Sequence, residues 1–190
     1  MAEGIKYYRN RIHPHVFALY ASMASILMMF AAFTSAYVVR QAVGNWQEYS
    51  VPDIFYFSTA ILLTSSVTLH LAYRGYKNSQ RLRYQGLLVV TLLLGCVFIV
   101  LQYFGWQDLY QIGVPLDGNP SGSFFYVISG VHAAHVLGGL AAIVVALYHA
   151  LSLPFQVTDK RRNRFVLVVR YWHFVDILWL YLFVFILLSQ

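Results

Sequence analysis

Charge is scarce in this sequence. Asp, Glu, Lys and Arg make up only 11% of its 190 residues, against a hydrophobic share of 59%. A soluble domain carries about 25% charged residues, so the composition excludes a water-soluble globule and indicates a membrane-embedded chain. Cysteine is all but absent. The single Cys96 rules out an internal disulfide and any cysteine-based metal cluster, and its place midway along an apolar run reads as a small buried hydrophobe. The five prolines, at positions 14, 52, 115, 120 and 154, all avoid the middles of apolar runs, which argues against the broken helices of a secondary transporter. Acids number seven, and of these only Asp176 lies within a long hydrophobic stretch. The net charge of +6 does not point to nucleic acid, because the basic residues gather in short connectors between apolar runs.

Five such runs are present, at about 16–39, 54–73, 86–104, 123–151 and 165–188. Each reaches or nearly reaches the ~20 residues that ~30 Å of hydrocarbon requires. The first is too long for a signal-peptide core, and no cleavage pattern closes it. The expected fold is therefore all-α: a single transmembrane domain, residues 1–190, built as a five-helix bundle. With five crossings, Lys6, Arg9, Arg11, Arg74, Lys77, Arg81, Arg83, Lys160, Arg161, Arg162, Arg164 and Arg170 fall on one side and only Arg40 on the other. Twelve against one is a strong positive-inside signal; it puts the N-terminus in the cytoplasm and the C-terminus outside. The opposite side carries Glu48, Asp53, Asp108 and Asp117 and an expected long ordered connector over 105–122. Trp46 and Trp106 fall near its helix ends, as interfacial belt residues do.

The stretch with most chemical content is Arg170 to Trp179, RYWHFVDILW. An aspartate at the centre of a membrane helix costs roughly 2.5–3.5 kcal/mol on insertion scales, so Asp176 is expected to face a protein interior and to have a partner. His173, three residues earlier, and Arg170, six earlier, are read as sharing its face. In the fourth run Gly130, Ala134, Gly138, Ala142, Ala146 and Ala150 recur every four residues, a small-residue seam suited to close helix approach, whether within this chain or against another subunit. Beside it stand His132 and His135. A metal site would need further ligands, from His70 or the His173/Asp176 pair, and no cysteine can help. Haem ligation by His135 and His149, fourteen residues apart, would need a matching pair that no other helix supplies. A proton relay lacks a second carboxylate at depth. The reading that remains is a buried polar network of His132, His135, His173 and Asp176, with His70 and Arg170 as contributors and no metal. No nucleophile–base set and no glycine-rich phosphate loop is evident.

Four stretches taken together resemble the subunit III family of haem–copper oxidases: TAILLTSSVTLHLA, LLGCVFIVLQYFGW, SFFYVISGVHAAHVLGG and RYWHFVDILWLYLF. They occur in the family's order and, with the helix before them, span about 17–188. The absence of two extra N-terminal helices resembles its short, five-helix bacterial form. The resemblance implies a subunit with no redox centre of its own, the haems and copper belonging to partner subunits that reduce oxygen to water. It implies packing beside subunit I, bound phospholipid, support of proton uptake, and a place in the bacterial cytoplasmic membrane within the respiratory chain. His132, His135, His173 and Asp176 match family positions. Ile26 stands where the family often has a glutamate, so no role of that acid carries over. Two alternatives remain open: the related accessory protein of nitric oxide reductases, and a haem-binding, quinone-linked membrane cytochrome. Whether cytochrome c or quinol feeds the complex is not written in these residues.

Overall fold

The computed structural model describes residues 14–189; the basic residues Lys6, Arg9 and Arg11 lie outside them. Five helices account for nearly all of it: α1 (Pro14–Ala42), α2 (Ile54–Lys77), α3 (Arg81–Gln111), α4 (Pro120–Ser152) and α5 (Asp159–Leu188). All five are long and apolar enough to cross a membrane. At 24 to 33 residues they run about 36–50 Å, longer than the hydrocarbon core. The helices therefore continue beyond the apolar runs into the polar zones, most of all α3, which outlasts its run at both ends. The connector expected over 105–122 is consequently short: α3 persists to Gln111, and only 112–119 link it to α4.

Local chemistry sets these limits. Asn119 caps α4, its side-chain oxygen accepting from Ser121 N–H at 3.0 Å, with Pro120 in the first turn where no N–H is needed. Thr158 accepts from Arg161 N–H at the start of α5. Between α3 and α4, Gly113 takes φ +82°, the left-handed conformation that glycine adopts without strain.

α2, α3, α4 and α5 form a closed four-helix ring in which α2 and α3 are the most intimately packed neighbours. Cross-links set the direction of each pair. Ser58 meets Gln102, and Thr68 meets Thr91, so α2 and α3 are antiparallel. Thr59 meets Trp179 and Ser65 meets Trp172, so α2 and α5 are too. α1 stands outside the ring and packs on α4 and α5. It runs parallel to α5, as the pairs Tyr20–Arg170, Thr34–Tyr181 and Gln41–Ser189 show. Its buried residues are only Phe30, Thr34 and Tyr37, all in the second half of the helix. The first half carries no buried residue.

The two connectors at the acidic end are tied together by the side chains of Asn119 and of Gln47, whose Nε2 donates to the Gly113 carbonyl at 3.3 Å. Asn119 Oδ1 accepts from Gln47 N–H at 3.2 Å, while its Nδ2 donates to the Asn45 carbonyl at 3.1 Å. Trp46 and Trp106, read as belt residues, are half-buried and structural. Trp46 packs edge-on against Tyr37, and Trp106 Nε1 donates to Ser129 Oγ at 2.9 Å. Cys96 is exposed on the outer face of α3 instead of buried, because its neighbour Gly95 takes the inward position.

Candidate functional site

The centre of the ring is organised by α5. Phe165, Trp172, Trp179 and Ile186 recur every seven residues and are all buried, the spacing that keeps one stripe facing a partner along a helix. Trp172 is fully buried, and its indole fits between two glycines on different helices. A Cβ on Gly95 would lie 2.9 Å from the indole, and one on Gly139 2.8 Å from it. Phe55 fills a similar notch at Gly105, where a Cβ would come within 2.5 Å of the ring. These are knobs that only glycine admits.

α2 supplies the polar counterpart. Its hydroxyls at Ser58, Thr59, Ser65 and Ser66 lie along one side of the helix. Thr59 accepts from Trp179 Nε1 at 2.9 Å and Ser65 from Trp172 Nε1 at 3.0 Å. Ser58 accepts from Gln102 Nε2 at 3.1 Å. Both indole N–H groups are thereby satisfied in the dry interior, as buried indoles require. Sequence reasoning singled out no residue of this ridge. The signal was available as four hydroxyls at positions 58, 59, 65 and 66 of one apolar run, a spacing that returns to the same face every seven residues.

The anticipated polar residues fall into two groups. His173 and Asp176 meet at Ser66 on α2, whose hydroxyl hydrogen-bonds His173 Nδ1 and also faces the Asp176 carboxyl. Asp176 is 4% exposed, and its Oδ1 has no hydrogen-bond partner among the described residues. His70 stacks obliquely beside His173, ring centroids 6.0 Å apart. His132 and His135 lie on the other side of α5. His132 is fully buried among Trp179, Phe98 and Phe30, with centroids at 4.9, 6.1 and 6.3 Å. Neither of its ring nitrogens has a partner among the described residues, so it packs as one more aromatic ring. His135 Nδ1 is 2.7 Å from the Val131 carbonyl of its own helix, and its own carbonyl accepts from Tyr171 Oη at 3.1 Å.

Arg170 belongs to neither group. It is exposed, its guanidinium 5.9 Å from the centroid of the Tyr20 ring on α1. The reason is rotational: at about 100° per residue, six residues leave Arg170 a third of a turn from Asp176. The small-residue row, expected to pack either within this chain or against another subunit, lies mostly outside this chain's own core. Ala134 and Gly138 are exposed, Gly130, Ala142 and Ala146 half-buried, and only Ala150 is buried. The row that packs is the adjacent one, through Ala133, Val136, Gly139, Leu140 and Ile143. Among the described residues, no three His, Cys, Asp or Glu side chains come together as metal ligands would.

Two cavities open at the basic end. One, of about 340 Å³, lies between α4, α5 and their connector, with Tyr76, Tyr84, Phe155 and Phe165 around it and Arg161, Arg164 and His149 on its rim. The other, of about 400 Å³, lies between the starts of α1 and α5.

Residues 15–189 match the family model described as cytochrome c oxidase subunit III. The cytochrome c oxidase subunit 3 of Corynebacterium diphtheriae is 33% identical over 172 residues, covering 86% of this chain and 82% of that protein. A probable cytochrome c oxidase subunit 3 of Nocardia farcinica is 32% identical over 171 residues, with 85% and 81% covered. The rat cytochrome c oxidase subunit 3 is 32% identical over 127 residues, 67% of this chain and 47% of that protein. A five-helix membrane bundle matched along nearly its whole described length belongs to the cytochrome c oxidase subunit III family, and is thus a multi-pass subunit of a multi-subunit respiratory oxidase.

Proposed function

We propose that this chain is a non-catalytic subunit: it braces subunit I of the oxidase, retains membrane lipid and supports proton uptake while partner subunits, which hold the haems and copper, reduce oxygen to water. The observation that carries the reading is how the bundle interior is filled. Trp172 occupies the glycine notches of α3 and α4, and His132 is enclosed by three aromatic rings. That interior offers close packing where a haem would need a slot, and a rigid scaffold is what such packing makes. On this reading the basic end faces the cytoplasm of a bacterial cell. Its Arg and Lys side chains, flanked by the two cavities, then sit where acidic lipid headgroups and entering protons are found.

The test is purification of the full chain in mild detergent, with the co-purifying proteins identified by mass spectrometry and a visible spectrum recorded. Recovery of a haem–copper subunit, with haem absorbance tracking that subunit's amount, is the expected result. A Soret band on the chain after it has been stripped of partners would sink the reading in favour of a membrane cytochrome.

A further inference from the structure

The acidic end of the bundle holds a pocket of its own, about 670 Å³, where the last turns of α3 meet the α3–α4 connector and the start of α4. Four aromatic rings line it: Tyr103, Trp106 and Tyr110 from α3, and Tyr126 from α4. Aromatic residues at a membrane surface ordinarily turn their polar atoms to water and headgroups. Here most of those atoms are engaged within the chain. Trp106 Nε1 donates to Ser129 Oγ at 2.9 Å, and the Tyr126 hydroxyl lies 3.0 Å from the carbonyls of both Trp106 and Val114. The Tyr103 hydroxyl accepts from Gln107 Nε2 at 3.0 Å. What these three side chains leave to the pocket is ring surface. Trp106 and Tyr126 are half-buried as well, so two walls are fixed before any ligand arrives. Tyr103 and Tyr110, 55% and 69% exposed, form the rim.

One charge faces that surface. Asp117, on the connector, lines the pocket and is exposed, and it makes no ion pair or hydrogen bond among the described residues. None of the lining residues is basic. The same end carries Glu48, Asp53 and Asp108, and its one arginine, Arg40, donates to the Gly44 carbonyl at 2.8 Å. An anion would therefore be repelled here. A metal ion would find a single carboxylate where several hard ligands are needed. A neutral apolar molecule would gain nothing from Asp117. An organic cation gains from both parts of the lining, because aromatic faces are electron-rich and hold a cation electrostatically. A methylated ammonium brings methyl groups to the rings and asks for no hydrogen-bond acceptor, which suits walls whose hydroxyls and indole N–H are already engaged.

We propose that this pocket binds a small, water-soluble quaternary ammonium ion, its methyl groups against the four rings and its charge facing Asp117. The apolar run of α3 ends near 104, whereas the pocket continues to Asp117. Its mouth thus opens beyond the apolar zone, toward solutes in water. The site lies at the opposite end from the two basic-end cavities and borrows nothing from the oxidase reading.

The experiment titrates the full chain, in a maltoside detergent that contains no choline group, with tetramethylammonium chloride against matched sodium chloride. Tryptophan fluorescence is the signal. Choline and its uncharged isostere 3,3-dimethyl-1-butanol form a second pair. Wild type gives a saturable response to tetramethylammonium and to choline, and none to the isostere at equal concentration. Tyr110→Leu weakens binding about two- to fivefold, as loss of one exposed cation–π contact does. Asp117→Asn weakens it by a similar factor and reduces its sensitivity to added salt. The two changes together cost about tenfold. Both positions are exposed, so neither variant threatens the fold. Tyr148→Leu, which removes an exposed tyrosine at the other end of the bundle, leaves binding unchanged. An equal response to the isostere, a double variant indistinguishable from wild type, or an equal loss in Tyr148→Leu would each overturn the site. A response to short-chain phosphatidylcholine with none to choline would overturn it too, in favour of a lipid headgroup.

Discussion

Two neighbouring glycines on α4 show how much the position of a single methyl group can decide. Gly139 lies under the Trp172 indole, where a Cβ would come to 2.8 Å, whereas a Cβ on Gly138 would find its nearest neighbour, Tyr171 Oη, at an ordinary 3.7 Å. The indole cannot yield, since its far side faces Gly95 and its N–H is fixed to Ser65. Gly139→Ala is expected to destabilise by about 1–3 kcal/mol, the usual cost of overpacking. Gly138→Ala should stay within about 0.5 kcal/mol of wild type. Thermal unfolding in detergent, followed by tryptophan fluorescence, distinguishes the two, and equal shifts would contradict the notch. Ser66 makes a second case. It serves His173 and Asp176 together, so Ser66→Ala and Asp176→Leu remove parts of one network and their effects should be less than additive. Hydrogen bonds of this kind in lipid average about 0.6 kcal/mol, so the coupling will be of that order. It is read from a double-mutant cycle on the same unfolding signal, and strict additivity would show Ser66 and Asp176 to be independent. The sequence announced Asp176 as a residue needing an interior, because one carboxylate stood alone in an apolar run. It did not announce Ser66, because a serine costs little in a membrane helix and its partner is fixed only once α2 and α5 are side by side.

At the scale of elements, hydropathy located every helix, since a membrane span must be long and apolar whatever it packs against. It set the ends less well. The apolar run expected over 86–104 ends before the helix does, and the helical hydrogen bonds of α3 run on from Arg81 to Gln111. The seam on α4 shows a different limit. Gly130, Ala134 and Gly138 have the spacing of a packing row, yet burial falls on the row one position away. On a helix rich in small residues several such rows coexist, and the choice among them belongs to the bulky side chain of another helix, here Trp172. Connectors offer their own test. Asn119 caps α4 and also clasps the connector after α1 through Gln47 and Asn45. Asn119→Ala should cost about 1 kcal/mol as a lost cap. It should also speed hydrogen exchange in 43–53 as well as in 112–119. Faster exchange in the second segment alone would leave the cap but remove the clasp.

For the molecule as a whole, the segregation of charge is the feature on which orientation rests. Five helices alternate direction, so the α2–α3 and α4–α5 connectors share the end at which α1 starts, and the α1–α2 and α3–α4 connectors share the other. The first end carries Arg74, Lys77, Arg81, Arg83 and the run Lys160 to Arg164; the second carries Glu48, Asp53, Asp108 and Asp117. Basic connectors are retained in the cytoplasm during insertion, so the α2–α3 turn should lie inside and the α3–α4 connector outside. Replacement of Cys96 first removes the native thiol, which is exposed on α3. Gln80→Cys and Asp117→Cys then report on the two ends in intact cells. A membrane-impermeant maleimide should label Asp117→Cys at once and Gln80→Cys only after the membrane is opened. The reverse pattern would turn the bundle over. The cavities at the basic end would then face the outer side, and the end proposed to meet acidic lipid and entering protons would be on the wrong side for both.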